Sequence, residues 1–146
     1  MALYDIAATG FSIFLKSTTS FPQGFFLEGI ADDTDPLAFG DLTIAEADTN
    51  VNGDLVVFGK PQVLNPTIAV VAGSPADENL QVMLGARQNG VRETVELTVT
   101  YPDGSSVTAS EGVLITGTKG KGVSSNGRTA TRSYGFAFGV HSESRA

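Results

Sequence analysis

Between Ser74 and Tyr101 the chain reads SPADENLQVMLGARQNGVRETVELTVTY, and here a helical period passes directly into a strand period. No other stretch constrains the fold as tightly. Ser74 suits an N-cap, Pro75 sits where a missing N–H is harmless, and Asp77 completes an S-x-x-D capping box at the positive end of the helix dipole. Leu80, Met83, Leu84 and Arg87 recur at i, i+3, i+4 and i+7, which predicts an apolar stripe laid on a sheet with Arg87 at its edge. Asn89-Gly90 ends the helix, because glycine accepts the left-handed conformation needed there. The helix is therefore expected over about residues 75–89. From Glu93 the period is two: Val95, Leu97, Val99 and Tyr101 face one way, and Thr94, Glu96, Thr98 and Thr100 the other.

The chain around this segment is β. Seventeen Gly, many Thr and Val and few other helical stretches predict a mainly β protomer, a β-sandwich or barrel-like fold with one short α-helix. A chain of 146 residues is expected to form a single domain, 1–146, able to bury a core without staples. There is no Cys and one His, His141, which removes thiolate chemistry and any site built on two imidazoles. No apolar run approaches the ~18 residues that span a bilayer, so a soluble, cytoplasmic chain without membrane insertion is expected. Nine Lys plus Arg against sixteen Asp plus Glu give a net charge of −7, poorly suited to gripping phosphates.

In chain order, Phe11, Ile13 and Leu15 alternate with Ser12, Phe14 and Lys16, and the turn Phe21-Pro22-Gln23-Gly24 leads into Phe25 to Ile30, predicting a hairpin. Asp32-Asp33-Thr34-Asp35-Pro36 reads as a solvated acidic loop rather than a cation site. Residues 31–52 are polar, contain glycine and are only locally periodic, which predicts an extended arm anchored by Leu37, Phe39, Leu42 and Ile44. Asp48 to Gly53 matches the first half of a calcium loop, but the twelfth position is Gly59 and Leu55 to Phe58 reads as a strand, so a turn at Asn52-Gly53 is expected. Pro66 places the run from Val63 to Val71 at a sheet edge, becoming central at Ile68, Val70 and Ala72. After the turn at Tyr101 to Ser105, Val107, Ala109, Val113 and Ile115 carry a return strand with a bulge at Glu111-Gly112. Gly117 to Gly122 lacks phosphate-loop spacing and reads as a solvated basic loop. The last strand, Thr129 to Val140, sets Tyr134, Phe136, Phe138 and Val140 on a core face, with His141 in a polar tail.

Taken together, DDTDPLAFGDLTIAEA, NGDLVVFGKPQVLNPTIAVVAGSPADENLQVMLGARQNG, TVELTVTYPDGSSVTASEGVLITG and SYGFAFG resemble the tail-tube proteins of contractile-tailed and related bacteriophages, over nearly the whole chain. The resemblance implies a structural virion protein of the tail, assembled in the host cytoplasm. It implies hexameric rings that stack into a tube carrying DNA, with tail sheath, baseplate and tail terminator proteins as further partners. An acidic lumen would let DNA pass without specific binding, and pairing of open sheet edges around a ring would remove an aggregation hazard.

The alternative is a fibre, tip or baseplate binding module that contacts a host receptor through loops. No catalytic, cofactor-binding or metal residues are assigned, and no enzyme activity or cofactor is expected. Leu37, Phe39, Leu42 and Ile44 are the expected assembly-interface residues, because a solvated arm would expose them and a neighbouring subunit would bury them.

Overall fold

The computed structural model describes residues 11–28, 36–60, 62–123 and 125–145. Seven strands form one antiparallel sheet: β1 (Ser12–Ser17), β2 (Phe25–Phe26), β3 (Leu37–Ala38), β6 (Thr67–Val70), β7 (Val95–Thr100), β8 (Ser106–Gly117) and β9 (Arg132–Ser144). Their order is β2-β1-β7-β8-β9-β6-β3, and the sheet curls into a half-barrel. Two more strands, β4 (Ala45–Thr49) and β5 (Leu55–Gly59), pair only with each other. The expected class, mainly β and barrel-like with one helix, is the class observed.

Helix α1 (Pro75–Gln88) starts and stops where its end signals lie. Ser74 Oγ accepts from Asp77 N at 3.3 Å, and Gly90 follows the C-cap at φ +80°. Leu80 and Met83 are buried and Leu84 is half-buried, its methyls close against Gly117 of β8. The buried stripe begins a turn earlier than the spacing predicts, at Ala76 and Asp77. The capping box is also altered. The Asp77 carboxylate turns away from the Ser74 amide, takes the Gly73 N–H at 2.9 Å and reaches down into the sheet.

The core lies between this helix and the concave face of the sheet. Ile13, Leu15, Leu97 and Val99 come from β1 and β7, and Tyr134, Phe136 and Phe138 from β9, all of them fully buried. Burial of each of these side chains contributes about 1.5–3 kcal/mol. The predicted first hairpin is present, with Phe14 opposite Phe26 and Leu15 opposite Phe25.

Bulges account for both the curl and the departures from simple alternation. Glu111 adopts φ +52°, and three steps on β8, from Ala109 to Gly112, oppose two on β7, from Leu97 to Val95. The extra residue bends the strand and reverses the phase of the residues after it. Leu114 therefore enters the core while Ile115 is exposed and Val113 half-buried, the opposite of the predicted return strand. Gly112 now faces Phe138 so closely that a Cβ there would overlap the ring.

Toward β9 the register is unbroken from Ala109 opposite His141 to Leu114 opposite Phe136 and shifts only between Leu114 and Thr116. Val140, opposite Ser110, is exposed rather than on the aromatic core face. His141 is not in a polar tail: β9 runs on to Ser144 and holds it half-buried. Thr129 makes only an isolated bridge to Val123, and the strand starts at Arg132. Ile68 and Val70 are central as predicted, whereas Ala72 already lies in the turn before the helix. The run Asp32 to Asp35 lies outside the described residues.

Candidate assembly surface

The β4–β5 hairpin is the part of the described chain that its own core does not claim. Its turn is built by Asn50, whose side-chain oxygen accepts from Asn52 N at 3.0 Å and Asp54 N at 2.9 Å. Asn50 N donates to Asp54 O at 2.9 Å, and Gly53 takes φ +83°. The half-match to a calcium loop is thus a turn motif in which the Asn50 oxygen is already occupied by backbone donors. Among the described residues, no three His, Asp or Glu side chains gather where they would hold a metal ion.

Register divides the hairpin into two faces. Ala45, Ala47 and Thr49 lie opposite Gly59, Val57 and Leu55, an uncharged face of small and branched side chains. Glu46 and Asp48 lie opposite Phe58 and Val56, a face that mixes carboxylates with apolar groups. Both faces are in solvent: Leu55 is 69% exposed, Val57 59% and Phe58 56%. A two-stranded hairpin with no third layer is marginal in water, and exposed apolar strands of this kind are candidates for an interaction surface.

The four residues expected to anchor an interface divide into two pairs. Leu37 lies in β3 opposite Ile68, and Leu37 and Phe39 pack partly against this chain's own core. Leu42 and Ile44, 37% and 60% exposed, lead into the hairpin. Leu55 to Phe58, which the sequence presents as a strand, supply most of its exposed apolar surface. The readable signal was the partner strand: AEADT has no large apolar residue, so its neighbour has nothing to pack on within the pair.

Beneath the helix lies a second polar arrangement, which is structural. Asp77 Oδ2 accepts from Arg132 NH1 at 3.0 Å, and Asp77 Oδ1 accepts from the Tyr134 hydroxyl at 2.7 Å. Gln81 Nε2 donates to that hydroxyl at 2.5 Å and to Thr118 O at 2.8 Å. The cluster ties the first turns of α1 to β9. Arg132 and Tyr134, two apart on one strand face, signal it in the sequence, because an arginine among aromatics needs a carboxylate partner.

Burial, and then the hydrogen bond to Asp77, pushes the Tyr134 pKa up to about 12 from 10.0. The stabilisation that goes with this shift is present in full below pH 10 and is lost as pH rises toward 12. Measured by urea unfolding, the stability advantage of the wild type over Tyr134→Phe is therefore expected to shrink across that window. An advantage that stays constant would contradict the assignment.

A cleft of about 240 Å³ lies at the far end of β9, lined by Phe39, Leu42, Leu64 and Tyr101 with His141 and Glu143 at its edge. Burial, followed by the Glu143 and Asp103 carboxylates, raises the Tyr101 pKa.

Solved structures that share this fold include components of the anti-feeding prophage and of an extracellular contractile injection system. The anti-feeding prophage cap, a tube terminating cap, superposes with TM-score 0.64 at 11% identity, covering 100% of this chain and 95% of that one. The sheath/tube terminator of an extracellular contractile injection system, PVC, gives 0.65 at 9% identity over 99% and 100%. The PVC sheath-tube complex gives 0.63 at 11% over 98% and 93%. At such identities the likeness is one of fold.

The family comes from sequence. The model for tail fiber protein gp32 matches residues 4–142, and the chain belongs to that family. Among curated proteins there is no sequence match. The chain is thus a phage-tail-like protein, a coarser statement than the tail tube its sequence resembles.

Proposed function

We propose that this protein is a structural subunit of a contractile tail-like particle that assembles with copies of itself into rings, and the rings into a tube or its terminating cap. The hairpin carries the reading, since it exposes Leu55, Val57 and Phe58, which no other described residue of the chain covers. The sheet supports it as well. Both edge strands among the described residues, β2 and β3, are only two residues long, and short edges of this kind suit a sheet that meets neighbouring copies. Hexameric symmetry, an acidic lumen that passes DNA, and contacts with sheath and baseplate proteins follow from the same reading. Leu42 and Ile44 join the hairpin in the interface, while Leu37 and Phe39 brace its base.

A second reading, a fibre or tip module that contacts a host receptor, is favoured by the description of the family. Negative-stain electron microscopy of the purified chain with light scattering separates the two. Rings or tubes are expected; a monomer at every concentration would favour the fibre module.

A further inference from the structure

Charge on this chain is sorted along the sequence. Every charged residue between Lys16 and Lys60 is a carboxylate, and every Lys, Arg, Asp or Glu between Glu111 and Glu143 is a cation. In a chain of net charge −7 this leaves surfaces of opposite sign rather than a uniform acidic coat.

The negative surface is the hairpin. Lys60 pairs with Glu46 at its base, while toward the tip Asp48 and Asp54 have no cation partner among the described residues. The positive surface is the connection from β8 to β9, where Lys119 and Lys121 are exposed and likewise make no ion pair among the described residues. Lys121 reaches the start of α1, its Nζ 3.6 Å from the position a Cβ would take on Gly73. Exposed Val71 and Val123 stand close by in sequence on either side of that contact. Lysines among apolar side chains complement carboxylates among Ile44, Val56 and Phe58, and the chain does not satisfy that match internally.

Resting on the self-associating reading above, we infer that the acidic hairpin of one copy docks on the Lys119–Lys121 connection of the next. The two surfaces differ, so the contact is heterologous and propagates head to tail, closing as a ring or continuing as a stack. Two exposed lysines in an acidic chain are a poor footprint for nucleic acid, whereas opposite charges at an interface set partner orientation and exclude wrong pairings.

A charge swap tests this. Variant one is Lys119→Glu with Lys121→Glu, and variant two is Asp48→Lys with Asp54→Lys; circular dichroism melting confirms that both fold. Each alone places like charges at the contact and is expected to lose the high-mass species seen for wild type. Mixed, they restore both contacts by alternating, and high-mass species are expected to return. Wild-type assembly is expected to weaken as ionic strength rises. If variant one assembles as wild type does, or the folded mixture fails to assemble, the docking inference is wrong. If wild type itself never associates, the self-assembly reading falls with it.

Discussion

A variant with residues 45–59 replaced by a short Gly/Ser linker is expected to melt as the wild type does and to remain monomeric where the wild type forms rings. The deletion removes β4, the turn and β5, which pair only with each other. All of these residues are exposed except the half-buried Val56, so the core loses almost no burial. Surface changes of this kind shift stability by roughly 0.5 kcal/mol, and shortening a loop costs little. Assembly, by contrast, loses the exposed apolar strand and the two carboxylates of the tip. Light scattering and negative stain read the loss, and circular dichroism reads the fold. A variant that still polymerises would remove the hairpin from the interface, and one that fails to fold would make it part of the core. The cut begins beyond Leu37 deliberately, because β3 pairs with β6 and Ala69 N donates to Pro36 O at 2.8 Å.

Asp77→Ala is expected to destabilise the protein by about 3–5 kcal/mol, since it leaves the Arg132 guanidinium buried without its counter-charge. For a chain of this length that corresponds to a fall in melting temperature of roughly 6–20 °C. The Tyr134 hydroxyl and the Gly73 N–H lose an acceptor at the same time, so the first turn of α1 loosens where it meets β9. Adding Arg132→Met to Asp77→Ala removes the unpaired charge and is expected to recover part of the loss. Thermal melts of the single and double variants decide this. A single variant within about 1 kcal/mol of wild type would show that the buried pair contributes little.

Both expectations concern groups whose residue types were plain in the sequence and whose surroundings were not. The helix was legible because its signals are local: Ser74, Pro75, the i, i+3, i+4 stripe and Gly90 act within a few residues of one another. So was the strand from Val95 to Thr100, where period two comes straight from alternation of side chains about the backbone. The turn at Gly53 was also announced by a residue that tolerates positive φ, and the bulge by the Glu111-Gly112 pair, although the left-handed angle falls on Glu111 and not on the glycine.

The consequences of that bulge were not legible. One inserted residue reverses the phase of a strand, and period counting has no means of knowing which side of the insertion the core lies on. That is why Leu114 and Ile115 exchanged places. Asp77 shows the same limit. Its place three residues after the N-cap was legible, but its carboxylate takes the Gly73 N–H instead of closing the capping box, and its burial goes with Arg132 and Tyr134, far along the chain and brought beneath the helix by the sheet.

The amino-acid sequence alone settled the mainly β class, the position of the one helix and the absence of cysteine chemistry, because each depends on composition or on neighbours within a turn or two. Tertiary structure decided which apolar strands are buried and which are left uncovered. Leu55 to Phe58 and Phe136 to Phe138 are alike as apolar strand sequences, yet Phe136 and Phe138 are fully buried in the core while Leu55, Val57 and Phe58 stay exposed on a strand paired only with AEADT. Burial is a property of what packs on a strand, and that is settled by elements distant in the sequence, which period counting does not see.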